Sequence, residues 1–224
     1  MNTHGKLNIE IFVEPSFQEN GFLLWSQGDS ECWLVDPGLP SRQIEQFAAA
    51  VQKRQLTPRA IVVTHGHADH IGGIAALRAL LGDVPIVCPR GEEQMLTSAE
   101  ENLSAGLGLP VTAPAPEQLV SHGDALALGD LEWRVLDVSG HSPAGVAYYC
   151  AEAGVALVGD AVFAEGIGRY DFPHSSRERL IANIRDNLLT LPEETLVYPG
   201  HGPPATIAQL LEHNMTLRAE LDQC

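Results

Sequence analysis

The sequence predicts an α/β protein in which two packed sheets carry helices on their outer faces. Each half of the chain holds a block of short apolar strand-like runs followed by helical patterns, an order that suits stacked sheets with helices outside. Glycine, proline, asparagine and aspartate punctuate those runs at strand-like spacing. With 224 residues, 45% apolar and 19% charged, the chain has core-formers enough for one domain over residues 1–224 and too many for disorder. No apolar run reaches the roughly 20 residues of a membrane-spanning helix.

The first block reads as a meander with strands at 7–13, 21–25 and 32–35, separated by Pro15, Asn20-Gly21 and Gly28-Asp29. Asp36-Pro37-Gly38 ends the last of these, and Asp36 serves there either as a turn-former or in a site. Ser41 caps a helix whose face is Ile44, Phe47, Ala48 and Val51, ending near Gln55. A strand at 58–64 precedes a helix with Ile74, Leu77, Leu80 and Leu81. A short strand at 85–88, a helix over 91–102 and a connection over 104–116, read as a surface loop rather than a lid, complete the half. The second half repeats this scheme, with strands at 126–128, 131–138, 145–150, 155–158 and 195–198, which suggests a duplicated α/β unit. Its penultimate helix has a capping-box pattern in Ser175-Ser176-Arg177-Glu178 and a face of Leu180, Ile181, Ile184 and Leu188. The last helix carries Ile207, Leu210, Leu211 and Leu217.

The densest chemistry lies at residues 61–70, where Ile61-Val62-Val63 runs into His65, His67, Asp69 and His70. Three other strand ends carry the same kind of residue beside a glycine: His141 after Gly140, Asp160 after Gly159, and His201 after Gly200. Any one of these histidines alone reads as an ordinary hydrogen-bonded residue. Their coincidence at four strand ends favours a metal site, because imidazoles and carboxylates together suit zinc or iron. His65 and His67 can reach one ion, Asp69 and His70 a second, and Asp160 is placed to bridge them. Neither ion is then closed by protein alone, which marks a catalytic rather than a structural site. A water shared by two such ions is a nucleophile at neutral pH, so the expected chemistry is hydrolysis.

The run His65 to His70, followed by His141, Asp160 and His201 in that order, resembles the metallo-β-lactamase superfamily, which implies a four-layer αββα sandwich with metals at the sheet edges. Within it, residues 20–25, 34–38, 140–143, 159–163, 168–172 and 199–203 are similar to glyoxalase-II-type hydrolases, in particular their short bacterial relatives. The resemblance implies His65, His67 and His141 on one ion, Asp69, His70 and His201 on the other, and Asp160 between, with Asp69 also orienting the attacking hydroxide. The implied cofactor is two divalent ions, zinc first, with iron or manganese as alternatives. The implied substrate is a small thioester such as S-D-lactoylglutathione, anionic in character. Arg169, Tyr170 and His174 lie where relatives place substrate contacts, and a guanidinium at 169 offers a fork for a carboxylate. Residues 168–172 also resemble the persulfide dioxygenases, which bind one iron through the equivalents of His65, His141 and Asp160. A metal-binding protein without turnover is the reading from outside enzymology.

A formal charge of −16, from 29 acidic and 13 basic residues, repels nucleic acid and argues against a nuclease. Residues 1–10 lack the apolar stretch of a secretory signal, so a cytoplasmic location is expected. Cys32, Cys88, Cys150 and Cys224 form no Cys-x-x-Cys pair and are expected to be reduced, with three of them in strand-like runs.

Overall fold

Alternating side chains on each strand face two different cores, and that alternation generates the layers. The computed structural model describes residues 1–223, so Cys224 lies outside the described residues. The first sheet has seven strands in chain order: β1 (Asn2–His4), β2 (Leu7–Val13), β3 (Asn20–Ser26), β4 (Glu31–Val35), β5 (Thr57–Val62), β6 (Ile86–Pro89) and β7 (Gln118–Val120). It is antiparallel as far as β4 and parallel from β4 to β7. The second sheet contains β8 (Ala125–Leu128), β9 (Leu131–Asp137), β10 (Val146–Cys150), β11 (Val155–Gly159), β12 (Leu196–Pro199) and β13 (Ala205–Thr206), ordered β13-β12-β11-β10-β9-β8. Only β11 and β12 pair in parallel. The two halves therefore share a layer order but not a strand topology.

Phe22, Leu24, Trp33 and Val35 point between the sheets, where Trp33 and Trp133 meet at 5.7 Å between ring centroids. Leu23, Cys32 and Leu34, one residue out of phase, pack instead under α1 (Arg42–Arg54) and α3 (Ile74–Leu81). The outer face of the second sheet is covered by α5 (Arg177–Asn183), α6 (Ile207–His213) and α7 (Met215–Leu221), through Leu180, Ile207, Leu210 and Leu217. Three cores make four layers, the expected αββα sandwich. Cys32, Cys88 and Cys150 are free and buried. No helix among the described residues is long and apolar enough to cross a membrane.

Local hydrogen bonds account for the departures from the predicted helices. The predicted helix over 91–102 shrinks to α4 (Glu93–Thr97). The Asn102 amide donates to the carbonyls of Met95 (2.9 Å) and Val111 (3.0 Å), so a side chain takes the acceptor that a continuing helix would offer to residue 99. The capping box at Ser175 does not form. Ser176 is the cap, accepting from the Arg179 amide, which puts Glu178 one position short of the box, while Ser175 donates to the Phe172 carbonyl. A full box occurs instead at Thr206 and Gln209. Asn214 splits the last helix by accepting from the Leu217 amide and donating to the carbonyls of Phe163 and Gly166. Leu80 and Leu211, both predicted on buried faces, are exposed.

One buried bond joins the sheets directly behind the strand ends that carry the candidate ligands: the Tyr148 hydroxyl on β10 donates to the Val63 carbonyl at 2.8 Å. Tyr148→Phe removes that donor and leaves the carbonyl buried. The expected loss of stability is about 1–2 kcal/mol, read from urea unfolding at unchanged m-value; a change within error would show that the bond contributes nothing net.

Candidate metal centre

Strand ends collect the site. Beyond β5 the chain makes a tight loop through Thr64 to His67 and enters α2 (Ala68–Ile71), which presents Asp69 and His70 one turn further on. Because β11 and β12 run parallel, their C-terminal ends deliver Asp160 and His201 side by side. His141 arrives from the loop between β9 and β10. All seven sequence-predicted ligand candidates meet at one edge of the sandwich. Their donor atoms fall into three overlapping groups whose members lie within 4.8 Å of one another: His65, His67 and His141; His65, His70 and Asp160; Asp69, His70 and His201.

Asp160 stands at the middle. Its carboxylate oxygens lie 3.4 Å from His70 Nε2, 3.4 Å from His201 Nε2 and 3.7 Å from His141 Nε2. His201 Nε2 is also 3.4 Å from Asp69 Oδ2, and His67 Nδ1 faces His141 Nε2 at 2.9 Å.

A ring of outer hydrogen bonds decides which imidazole nitrogen faces inward. The Thr64 hydroxyl donates to Asp36 Oδ2 at 2.6 Å, so its oxygen accepts from His65 Nδ1 at 3.1 Å and His65 Nε2 is left unprotonated. Asp36 Oδ2 also holds His70 Nδ1 at 3.0 Å. The carbonyls of Arg169 and Phe17 hold His141 Nδ1 (2.8 Å) and His201 Nδ1 (3.0 Å). Four Nε2 atoms therefore point into the site, as anchored metal-binding histidines do. Within that cluster His65 Nε2, His70 Nε2 and Asp160 Oδ1 are buried and have no hydrogen-bond partner. Buried, unpartnered nitrogen and carboxylate atoms at such spacing fit divalent cations.

The electrostatics divide the imidazoles. Burial pushes His65 well below the ordinary histidine value, His67 down to about 3 and His141 downward, which keeps all three neutral. Burial also opposes charge on His70 and His201, but the carboxylates of Asp160 and Asp69 outweigh it. They hold His70 well above the ordinary value and His201 at about 10.

Three supporting residues join the site. The sequence leaves Asp36 open between a turn-former and a site residue, offers Asn20 only as a turn signal, and marks no site role for Glu92. Asp36 Oδ1 takes the Thr64 amide in addition to the bonds above. Buried Glu92 accepts from the Gly66 amide, the Ser142 hydroxyl and the Ala144 amide, clamping the His65–His67 loop to the His141 loop. Asn20 donates to the carbonyls of Pro199 and Gly202 on either side of His201. Only Asp36 carried a signal, since it is an acid at a strand end followed by Pro37-Gly38. The glycine at 200 is steric: a Cβ there would lie 2.2 Å from Asp160 Oδ1 and 2.6 Å from His70 Cε1.

A cavity of about 390 Å³ opens above the cluster, with His67, Asp69, His141, Asp160 and His201 on its surface. The 104–116 segment, expected to be a passive connection, contributes Ser104, Leu107 and Leu109 to the wall. Arg169 lines the cavity, but its guanidinium is paired with Asp171 at 2.8 and 2.9 Å and lies over the Phe172 ring. The structure does not bring Tyr170 or His174 to the cavity wall. Tyr170 donates to Glu220, and exposed His174 sits 3.6 Å from Glu101.

The sequence profile of the metallo-beta-lactamase superfamily matches residues 15–201. The chain belongs to this superfamily. Two relatives within it align over most of both chains. A probable metallo-hydrolase of Bacillus subtilis, YqgX, is 37% identical over 88% of this chain and 91% of its own. The hydroxyacylglutathione hydrolase GloC of Haemophilus influenzae is 31% identical over 96% of this chain and 100% of its own. Among solved structures, the B3 metallo-beta-lactamase BLEG-1 superposes with a TM-score of 0.86 at 34% identity, covering 94% of this chain and 99% of its own. TTHA1623 in a di-iron-bound form gives 0.81 at 32% identity, covering 92% and 98%. Metallo-hydrolase relatives and a buried His/Asp donor set together make the chain a metal-dependent hydrolase of this superfamily.

Two outcomes follow from this geometry. Asp36→Asn keeps the shape but replaces one acceptor by a donor facing Thr64 and His70, so metal affinity should fall about 10- to 100-fold in competition with a chromophoric chelator. An unchanged affinity would detach Asp36 from the site. The second outcome concerns protons. In metal-free protein the carboxylates of Asp160 and Asp69 hold His201 at about 10, so it carries a proton at pH 7, and an imidazolium cannot coordinate. Titration with Zn²⁺ in buffers of different ionisation enthalpy should therefore show proton release, and affinity should fall as pH falls. The sign for metal-free stability is opposite. His201, raised to about 10, contributes fully below about pH 6.5 and loses that contribution as pH rises through 10.

Proposed function

We propose that this chain is a binuclear metal-dependent hydrolase of thioesters, S-D-lactoylglutathione among the substrates to be tried first. The observation that carries the reading is the convergence of seven donor side chains from separate strand ends, with four Nε2 atoms fixed inward, beneath one open cavity whose surface five of them reach. Similarity to GloC, a hydroxyacylglutathione hydrolase, over nearly the whole chain supports the choice of thioester. His65, His67 and His141 would hold one ion and Asp69, His70 and His201 the other, with Asp160 between them. Divalent ions there supply a nucleophile from water at neutral pH and polarise the substrate carbonyl. Zinc is the first expectation, with iron and manganese compatible with the same donors; the similar protein TTHA1623 was solved with two irons.

The chain's own groups do the rest. Asp69, on the cavity surface, orients the attacking water by accepting its hydrogen bond. Asp36, through Thr64 and His70, keeps the inward nitrogens aimed before substrate arrives, so little reorganisation accompanies the reaction. The apolar wall excludes bulk water from the reacting carbonyl. Addition of water to that carbonyl and cleavage of the C–S bond gives a carboxylic acid and a free thiol.

A second reading is a mononuclear iron dioxygenase of persulfides using His65, His141 and Asp160. It draws on the 3.7 Å approach of His141 Nε2 to Asp160 and leaves the grouping of Asp69, His70 and His201 without use. Metal content of protein purified without added metal, read beside S-D-lactoylglutathione hydrolysis and oxygen uptake with glutathione persulfide, separates the two. Two metals with hydrolysis are expected; one iron with oxygen consumption would overturn the reading, and bound metal with neither reaction would point to a protein without turnover. Asp69→Ala should lose the second metal and at least 100-fold in kcat/KM, whereas a mononuclear iron enzyme would keep its metal.

A further inference from the structure

The cavity above the metal centre has a polar floor and largely apolar walls, on which Arg169 is the one charged side chain outside the candidate ligands among the described residues. Apart from the candidate ligands, three polar side chains line it, and each is already bonded within the protein. The Asn102 amide donates to Met95 and Val111, and its Oδ1 accepts from the Ser104 hydroxyl at 2.6 Å. Ser104 Oγ in turn accepts from the Val111 amide at 3.0 Å. Arg169 donates to both oxygens of Asp171. A carboxylate or ammonium carried along the side formed by Leu103, Leu107 and Leu109 would meet no charged side chain among those residues and would lose part of its hydration.

The rest of the wall is aliphatic and aromatic, and part of it faces water. Leu107 is 56% exposed and Leu109 60% exposed, large apolar side chains held at the cavity mouth. Leu103 sits on the same wall with φ +71°, a left-handed conformation that leucine rarely adopts. The bonds of Asn102 and Ser104 to Met95, Ala99 and Val111 fix the segment on both sides of it. A strained residue held by its surroundings at a cavity wall, next to exposed leucines, is the pattern of a segment kept for ligand contact.

We infer that the substrate is a thioester with an uncharged, apolar acyl chain, seated against Leu103, Leu107, Leu109, Phe163 and Ile167. This rests on the thioesterase reading above and narrows it: the acyl chain, not a charged thiol, supplies the selectivity. The volume of about 390 Å³ lies at the lower end of the range for small-molecule sites and suits a chain of several carbons.

The test uses N-acetylcysteamine thioesters from acetyl to octanoyl on the metal-loaded protein, with the uncleavable S-alkyl thioethers of the same thiol as binding probes. Burying one methylene is worth about 0.8 kcal/mol, so kcat/KM and thioether affinity should each rise about fourfold per methylene until the cavity is full. Thioether binding by calorimetry should also show a negative heat-capacity change that grows with chain length. In Leu107→Ser/Leu109→Ser, where both positions are more than half exposed and the core is untouched, the octanoyl-to-acetyl ratio of kcat/KM should fall about tenfold. A flat dependence on chain length in both series overturns the inference, as does a kcat/KM for S-D-lactoylglutathione tenfold above that for octanoyl. A chain-length gradient in thioether binding with no thioester cleaved would overturn the thioesterase reading and leave the apolar ligand site standing.

Discussion

The geometry of the metal centre hangs on one buried carboxylate. Asp36 has no exposed surface, takes φ +44° at the end of β4, and spends both oxygens on the site: Oδ1 on the Thr64 amide, Oδ2 on the Thr64 hydroxyl and His70. Its position is a consequence of sheet register. In the parallel pair β4 and β5, Val35 stands opposite Val62, so the residue that follows Val35 meets the loop that follows β5. A buried carboxylate is tolerable only when its oxygens are satisfied, and here the satisfying donors are the group that orients one imidazole and the ring nitrogen of another. Removing the acid would both strand those donors and free the two rings to turn.

The second sheet reaches the same loop from the other side. The Val146 amide on β10 donates to the Thr64 carbonyl at 3.0 Å, and Tyr148 two residues on takes the carbonyl of Val63. Glu92 adds a third tie between the His65–His67 loop and the residues after His141. The loop carrying two of the candidate ligands is thus fixed by both sheets, and the αββα sandwich is what brings ligands separated by more than a hundred residues to a common edge. Rigid support of this kind suits a site whose donors must stand within a few ångströms of one another before any ion arrives.

Most of this was legible in the sequence because it follows period-2 and period-3.6 patterns. The strand runs and helix α1 with its Ser41 cap were written in spacing. The seven ligand candidates were legible because each ends an apolar run, a position that topology converts into proximity. What escaped was set by side chains bonding to distant backbone. Asn102 truncated a helix, Asn214 split another, and Glu92 and Asn20 became clamps through partners at sequence separations that no local pattern encodes. Asp36 was half visible, as an acid at a strand end, but its partners are on the loop after β5 and on the helix that follows it.

The cavity wall escaped for a different reason. Residues 104–116 look like a passive connection because glycines and prolines interrupt any periodicity, and leucines at 107 and 109 carry no signal without knowing what they face. Only the fold sets them opposite the metal centre, and there the contrast between wall and floor becomes an argument about chemistry. Charges on the floor act through a medium of lower polarity than water once a substrate has filled the space, so each interaction with a developing oxyanion is stronger than the same pair in solvent. The overall charge of −16 says little about this, because surface charges are screened beyond about 10 Å at moderate salt while the floor is buried. In the proposed reading selectivity then falls to the apolar surface of the wall, and the sandwich edge supplies the reactive groups whatever that surface admits.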